Sequence, residues 1–94
     1  MLALEKDVPG TDDAQFTAQI LKSEAEKAWQ LHMSDVIRAM YFSADKNQAV
    51  LILECATLED AHRELAELPL VRAGLIAFDV IPLTPYDGFS RLFG

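Results

Sequence analysis

The amino-acid sequence predicts an α+β domain in which four strands and two helices follow one another in the order βαββαβ. Three observations carry that expectation. A long stretch between residues 12 and 33 repeats its apolar residues at three- and four-residue spacing. Two strand-like runs, Val36 to Ser43 and Ala49 to Cys55, flank the polar connection Ala44-Asp45-Lys46-Asn47-Gln48. A second helical pattern then stops at Pro69, ahead of an apolar run from Leu75 to Leu83.

Each element has local signals. Leu2 to Glu5 reads as a short first strand, closed by the turn pair Pro9-Gly10. Thr11 stands at the expected N-cap of the first helix, with Asp12 and Asp13 in its first turn, where negative charge suits the helix dipole. Its inner stripe is expected to be Ala14, Ala18, Leu21, Ala25, Ala28, Trp29 and His32, with Lys22, Glu26, Lys27 and Gln30 outward. The strand run Ala49-Val50-Leu51-Ile52-Leu53 is apolar at both parities, so both sheet faces need cover. Thr57 followed by Asp60 starts the second helix, whose inner residues are Leu58, Ala61, Leu65 and Leu68. Pro82 ends the last strand, where a missing N–H does least harm. This order is the ferredoxin-like unit, a four-stranded antiparallel sheet with two helices on one face. Its other face would be bare in a monomer, which calls for a second copy about a two-fold axis. The tail, residues 84–94, carries Tyr86, Phe89, Leu92 and Phe93 and is expected to pack on a neighbouring subunit.

Composition narrows the function classes. Residues 1–94 form one domain, with a formal charge of −7 and eight Lys and Arg, none adjacent to another. Nucleic acid and anionic membrane surfaces both need clustered positive charge, so neither is an expected partner. One cysteine, Cys55, rules out an internal disulfide. No signal peptide is evident and no apolar run approaches the ~18 residues that span a bilayer, so a cytoplasmic protein is expected.

The segment Leu21-Lys22-Ser23-Glu24 in the first helix, and the exit Leu65-Ala66-Glu67-Leu68-Pro69-Leu70 of the second, resemble the muconolactone isomerase-like group of dimeric α+β barrels. The likeness covers roughly residues 20 to 82. It implies a homodimeric barrel and, by analogy, isomerases that move a proton beside a lactone carbonyl. Other barrels of this kind act as monooxygenases, dehydrochlorinases or binding domains. The ending Pro82-Leu83-Thr84-Pro85-Tyr86-Asp87-Gly88-Phe89 departs from the isomerase pattern.

Several side chains are candidates for chemistry. His32, near the end of the first helix, has two readings: a general base over an alanine-lined gap, or a helix-end histidine bonded to a free carbonyl. The second is the commoner fate. Arg38, Glu54 and Asp79 are charges within strands, either solvated at edges and ends or gathered in a polar cluster. In the cluster reading Arg38 grips a substrate carboxylate through its planar fork. The face that Arg38 shares depends on hairpin register, because a one-residue slip reverses it. Tyr41 has the opposite parity and would donate to an enolate oxygen, or serve as an ordinary sheet tyrosine. The catalytic candidates are therefore His32, Arg38, Tyr41 and Glu54. Ala25, Ala28, Trp29, Met40 and Phe78 are expected to line a ligand pocket, although such residues are more often plain core. His32, His62 and the acids show no metal-ligand spacing, and no phosphate loop is present, so neither a metal nor a cofactor is expected. Two function classes follow: a cofactor-free isomerase of a small lactone or carboxylated metabolite, or a non-catalytic ligand-binding or assembly module.

Overall fold

A computed structural model describes all 94 residues. Strands β1 (Leu2–Asp7), β2 (Ile37–Phe42), β3 (Ala49–Leu53) and β4 (Ile76–Ile81) form one antiparallel sheet in the order β2-β3-β1-β4. Helices α1 (Ala18–Met33), α2 (Leu58–Leu65) and the short α3 (Pro69–Arg72) cover one face. The ferredoxin-like α+β order expected from the sequence is the one observed.

Two boundaries differ for physical reasons. The first helix starts at Ala18, not near residue 12, because Asp12 caps a separate 3-10 turn, Asp13–Gln15. There the Asp12 carboxylate accepts from the Ala14 N–H, and Gln15 Oε1 accepts from the Asp12 N–H. Thr17, not Thr11, caps α1, accepting from the Ile20 N–H at 3.2 Å. The second helix ends at Leu65, short of the expected stop at Pro69, as the N–H groups of Glu67 and Leu68 close tight turns on Glu64 and Leu65; Pro69 instead opens α3, where a proline's missing N–H costs nothing. Thr57 caps α2 through the Asp60 N–H.

Two helix exits share one device. At the end of α1 the Val36 N–H reaches the Leu31 carbonyl and the Asp35 N–H that of His32, with Asp35 left-handed at φ 65°. At the end of α3 Leu75 and Gly74 do the same toward Leu70 and Val71, with Gly74 at φ 75°. Both are Schellman closures, and they turn the chain sharply into β2 and β4.

The core between helices and sheet is wholly apolar, centred on Ala3, Leu31, Ile37, Leu53, Ala61, Leu65 and Leu68. Register places Ala3, Leu51, Leu53, Ile76 and Phe78 on the helix side. In β2 a bulge between Ile37 and Ala39 inserts Arg38, so Ile37 opposes Leu53 while Met40 opposes Leu51. That extra residue puts both Ile37 and Met40 toward the helices despite their odd separation.

The buried face of α1 is rotated from the expected stripe. Ile20, Glu24, Ala28 and Leu31 face inward, whereas Ala14, Ala18, Leu21, Ala25 and Trp29 are exposed, Trp29 by 60%. Lys27, expected outward, is half-buried. The outer sheet face carries Leu2, Leu4, Ala39, Tyr41, Val50, Ile52 and Ile81 without a covering layer. Across it Lys6 and Asp79 form a 2.8 Å surface ion pair. The radius of gyration is 15.4 Å, against about 12 Å for a compact chain of this length. The excess reflects a long axis of 57 Å.

Candidate functional site

A half-open cavity of about 690 Å³ lies between α1 and the helix side of the sheet. Ala25, Ala28 and Trp29 from α1 form one wall, and Met40, Leu51 and Phe78 from the sheet form the other. Leu68 and Leu70 close one side, while Tyr41, Phe42 and Asn47 border the far end of the β2–β3 hairpin. The rotation of α1 makes this space. Small residues at 25 and 28 stand back from the sheet, and Leu21 and Trp29 remain as a rim. The volume falls within the ~300–1,000 Å³ usual for small-ligand pockets.

Three polar side chains break the apolar lining: Glu5, Glu24 and Asn47. Glu5 shares the parity of the buried Ala3, which turns it toward the helices, and its Oε1 accepts from the Ala49 N–H at 3.0 Å. Glu24 sits one turn from both Ile20 and Ala28 on the inner face of α1. Its Oε1 accepts from the Leu70 N–H at 2.9 Å, which caps α3 where Leu68 offers no side-chain oxygen. Burial raises the Glu24 pKa, the Leu70 N–H opposes this, and the negative charge of Glu5 adds to the rise. Each carboxylate thus gives one oxygen to a backbone donor while its residue lines the cavity. No Lys, Arg or His lines the space.

All five residues expected to line a pocket, Ala25, Ala28, Trp29, Met40 and Phe78, do so. Of the four candidate catalytic residues only Tyr41 borders the cavity. His32 lies one turn beyond Ala28, 6.0 Å from the Trp29 ring, and its Nδ1–H donates to the Ile37 carbonyl at 2.9 Å. Arg38 is exposed in the bulge, and Glu54 is exposed beyond the end of β3, by a shallow groove with Met1, Cys55 and Pro82. His32, Arg38, Tyr41 and Glu54 are therefore not brought together. Burial and the charges of Glu64 and Asp60 raise the pKa of the half-buried Cys55. No three His, Cys, Asp or Glu side chains converge as a metal-holding group, and no helix is long and apolar enough to cross a membrane.

Glu5 and Glu24 were the functional candidates that pattern reading passed over. Glu5 was placed at the last position of a strand that in fact runs two residues further. Glu24 stands in phase with Ile20 and Leu31, a signal hidden once the stripe was centred on the alanines.

No family profile matches the sequence, and no curated protein does. Among solved structures the chain is similar to 5-chloro-2-hydroxyhydroquinone dehydrochlorinase from Burkholderia phenoliruptrix, determined in complex with 2,5-dihydroxybenzoquinone. The TM-score is 0.63 at 21% identity, over 94% of this chain and 98% of that one. At that identity the likeness is one of fold: this chain has the ferredoxin-like α+β architecture that also carries a dehydrochlorinase.

Proposed function

We propose that the cavity binds a small, neutral, cyclic carbonyl compound, such as an unsaturated lactone or a cyclic enone, and moves a proton on it without a cofactor. The observation that carries this reading is the pair of carboxylates, Glu5 and Glu24, set in an otherwise apolar cavity of ligand size. Glu24 is suited to both halves of a proton shift. As carboxylate it takes the proton beside the carbonyl, leaving an enolate; as carboxylic acid it returns that proton at another carbon of the conjugated system. Nothing is consumed. Burial raises its pKa and so favours the protonated form more than in an ordinary glutamate, and the charge of Glu5 adds to the rise. Two acids and no cation in the lining favour a neutral substrate over a carboxylated one.

The reaction is tested by hydrogen–deuterium exchange at the carbon beside the carbonyl, followed by NMR with a panel of unsaturated lactones and cyclic enones. Exchange catalysed by the wild type and lowered about 10²-fold or more in Glu24→Gln is the expected result. Equal exchange by both proteins would remove Glu24 from the chemistry. A second reading, a carrier that binds the same compounds without turnover, draws on both carboxylates being engaged by backbone N–H groups. Binding with no exchange by the wild type favours it.

The working form in this proposal is a homodimer. Thirteen large apolar side chains are exposed on the isolated chain, while its core comprises only twelve buried residues. The uncovered sheet face, with Leu4, Val50 and Ile52 on its two central strands, offers two copies a self-complementary surface.

A further inference from the structure

The cavity is open on one side, and the same chain displays an apolar segment that nothing covers. After Ile81 the run Pro82-Leu83-Thr84-Pro85 leaves the sheet, its two prolines favouring an extended path. The chain then folds on itself. Tyr86 packs edge-on against Phe89, with ring centroids 4.9 Å apart, and a Cβ on Gly88 would overlap the Tyr86 ring. The 3-10 turn Gly88–Leu92 follows, bonded from Ser90 to Asp87 through both backbone and hydroxyl. The segment is therefore shaped before it meets anything, yet Phe89, Leu92 and Phe93 remain 67%, 77% and 91% exposed.

Its own cavity is on the wrong side for it. Ile81 pairs with Leu2 at one end of the sheet, whereas Phe42 pairs with Ala49 toward the other, roughly 10 Å along the strands and about 14 Å across them. None of Phe89, Leu92 and Phe93 lies in the lining of that cavity, and the molecule is 57 Å long. The area fits a second copy. Phe89, Leu92 and Phe93 present roughly 450 Å² to solvent, and two such arms on two rims bury about 1,800 Å², the size of a standard specific interface.

We propose that residues Pro82–Gly94 form an exchanged arm that seats Phe89, Leu92 and Phe93 on the Leu21, Trp29 and Phe42 rim of a second copy and closes its cavity. This rests on the homodimer reading but not on the carboxylate chemistry. Each site is then incomplete without its partner.

Trp29 is the sole tryptophan and reports directly on the rim. Acrylamide quenching of the full-length dimer should be several-fold weaker than that of Phe89→Ser/Phe93→Ser, whose emission should shift to the red with unchanged circular dichroism. Mixing that double variant with Trp29→Phe, which keeps the arm but has no reporter, should restore protection in the mixed dimer. Equal quenching of wild type and double variant overturns the arm. So does protection that survives dilution to monomer and does not respond to mixing, since the arm would then act within its own chain. A wild type that is monomeric at micromolar concentration also overturns it. Failure of Glu24→Gln to alter proton exchange leaves the Trp29 result standing, so the two readings fail separately.

Discussion

Glu24 holds the Leu70 N–H with one carboxylate oxygen, and its protonation ties the cavity to stability. A carboxyl whose pKa is higher folded than unfolded binds its proton more tightly in the folded chain. Its contribution is full below the ordinary carboxylate range and is lost as pH rises through the raised value. Glu24→Gln keeps an oxygen for the Leu70 N–H and cannot ionise, so it should resist urea better than wild type at pH 8. The advantage should close as pH falls below the ordinary Glu range, which urea titrations across that span would show. A gain of equal size at every pH would mean that desolvation of the charge is not the cause. His32 makes a contrasting case. With its Nδ1 engaged by the Ile37 carbonyl and no place in the cavity lining, His32→Ala should leave proton exchange within about two-fold while removing a hydrogen bond worth about 1 kcal/mol.

At the scale of elements, the two Schellman exits decide where β2 and β4 begin. Nothing lies within 4 Å of a Cβ built on Gly74, so Gly74→Ala tests backbone conformation alone. It should cost about 1 kcal/mol in a denaturant midpoint, while Thr57→Ala, which removes the α2 cap, should cost a similar amount. These elements were legible because their signals are local: a hydroxyl before an acid at Thr57, a proline at 69, an unbroken apolar run along β3. The rotation of α1 was not legible. Its alanines, Leu21 and Trp29 form a persuasive apolar stripe, yet an apolar stripe bordering a cavity reads in sequence like one pressed on a sheet. The inward position of Glu24 follows from that same rotation. Nor could the face of Arg38 be read, because it depends on a bulge that leaves no mark in the order of residue types.

For the whole molecule, the telling contrast is between a small apolar core and a larger exposed apolar surface. Ile52 sits mid-sheet on the uncovered face, paired with Leu2 on one side and Ala39 on the other. On the proposed homodimer reading, Ile52→Lys should yield a folded monomer where the wild type is dimeric, judged by light scattering with circular dichroism retained. A dimer that survives the lysine would move the interface off this face. The antiparallel order was readable from periodicity, as was the need for cover on both faces of β3. The extent of the arm was not, because a terminal run of aromatics looks the same whether it folds back or projects.

The bulge at Arg38 has a consequence for which changes this protein tolerates. The wall of the cavity in β2 is specified by a count of residues as much as by their kinds. Exchanging Arg38 for alanine alters an exposed side chain and leaves the count intact. Deleting it restores strict alternation, and then either Ile37, 1% exposed, leaves the core or Met40 and Phe42 leave the cavity. Along this strand, drift in sequence is cheap and drift in length is not.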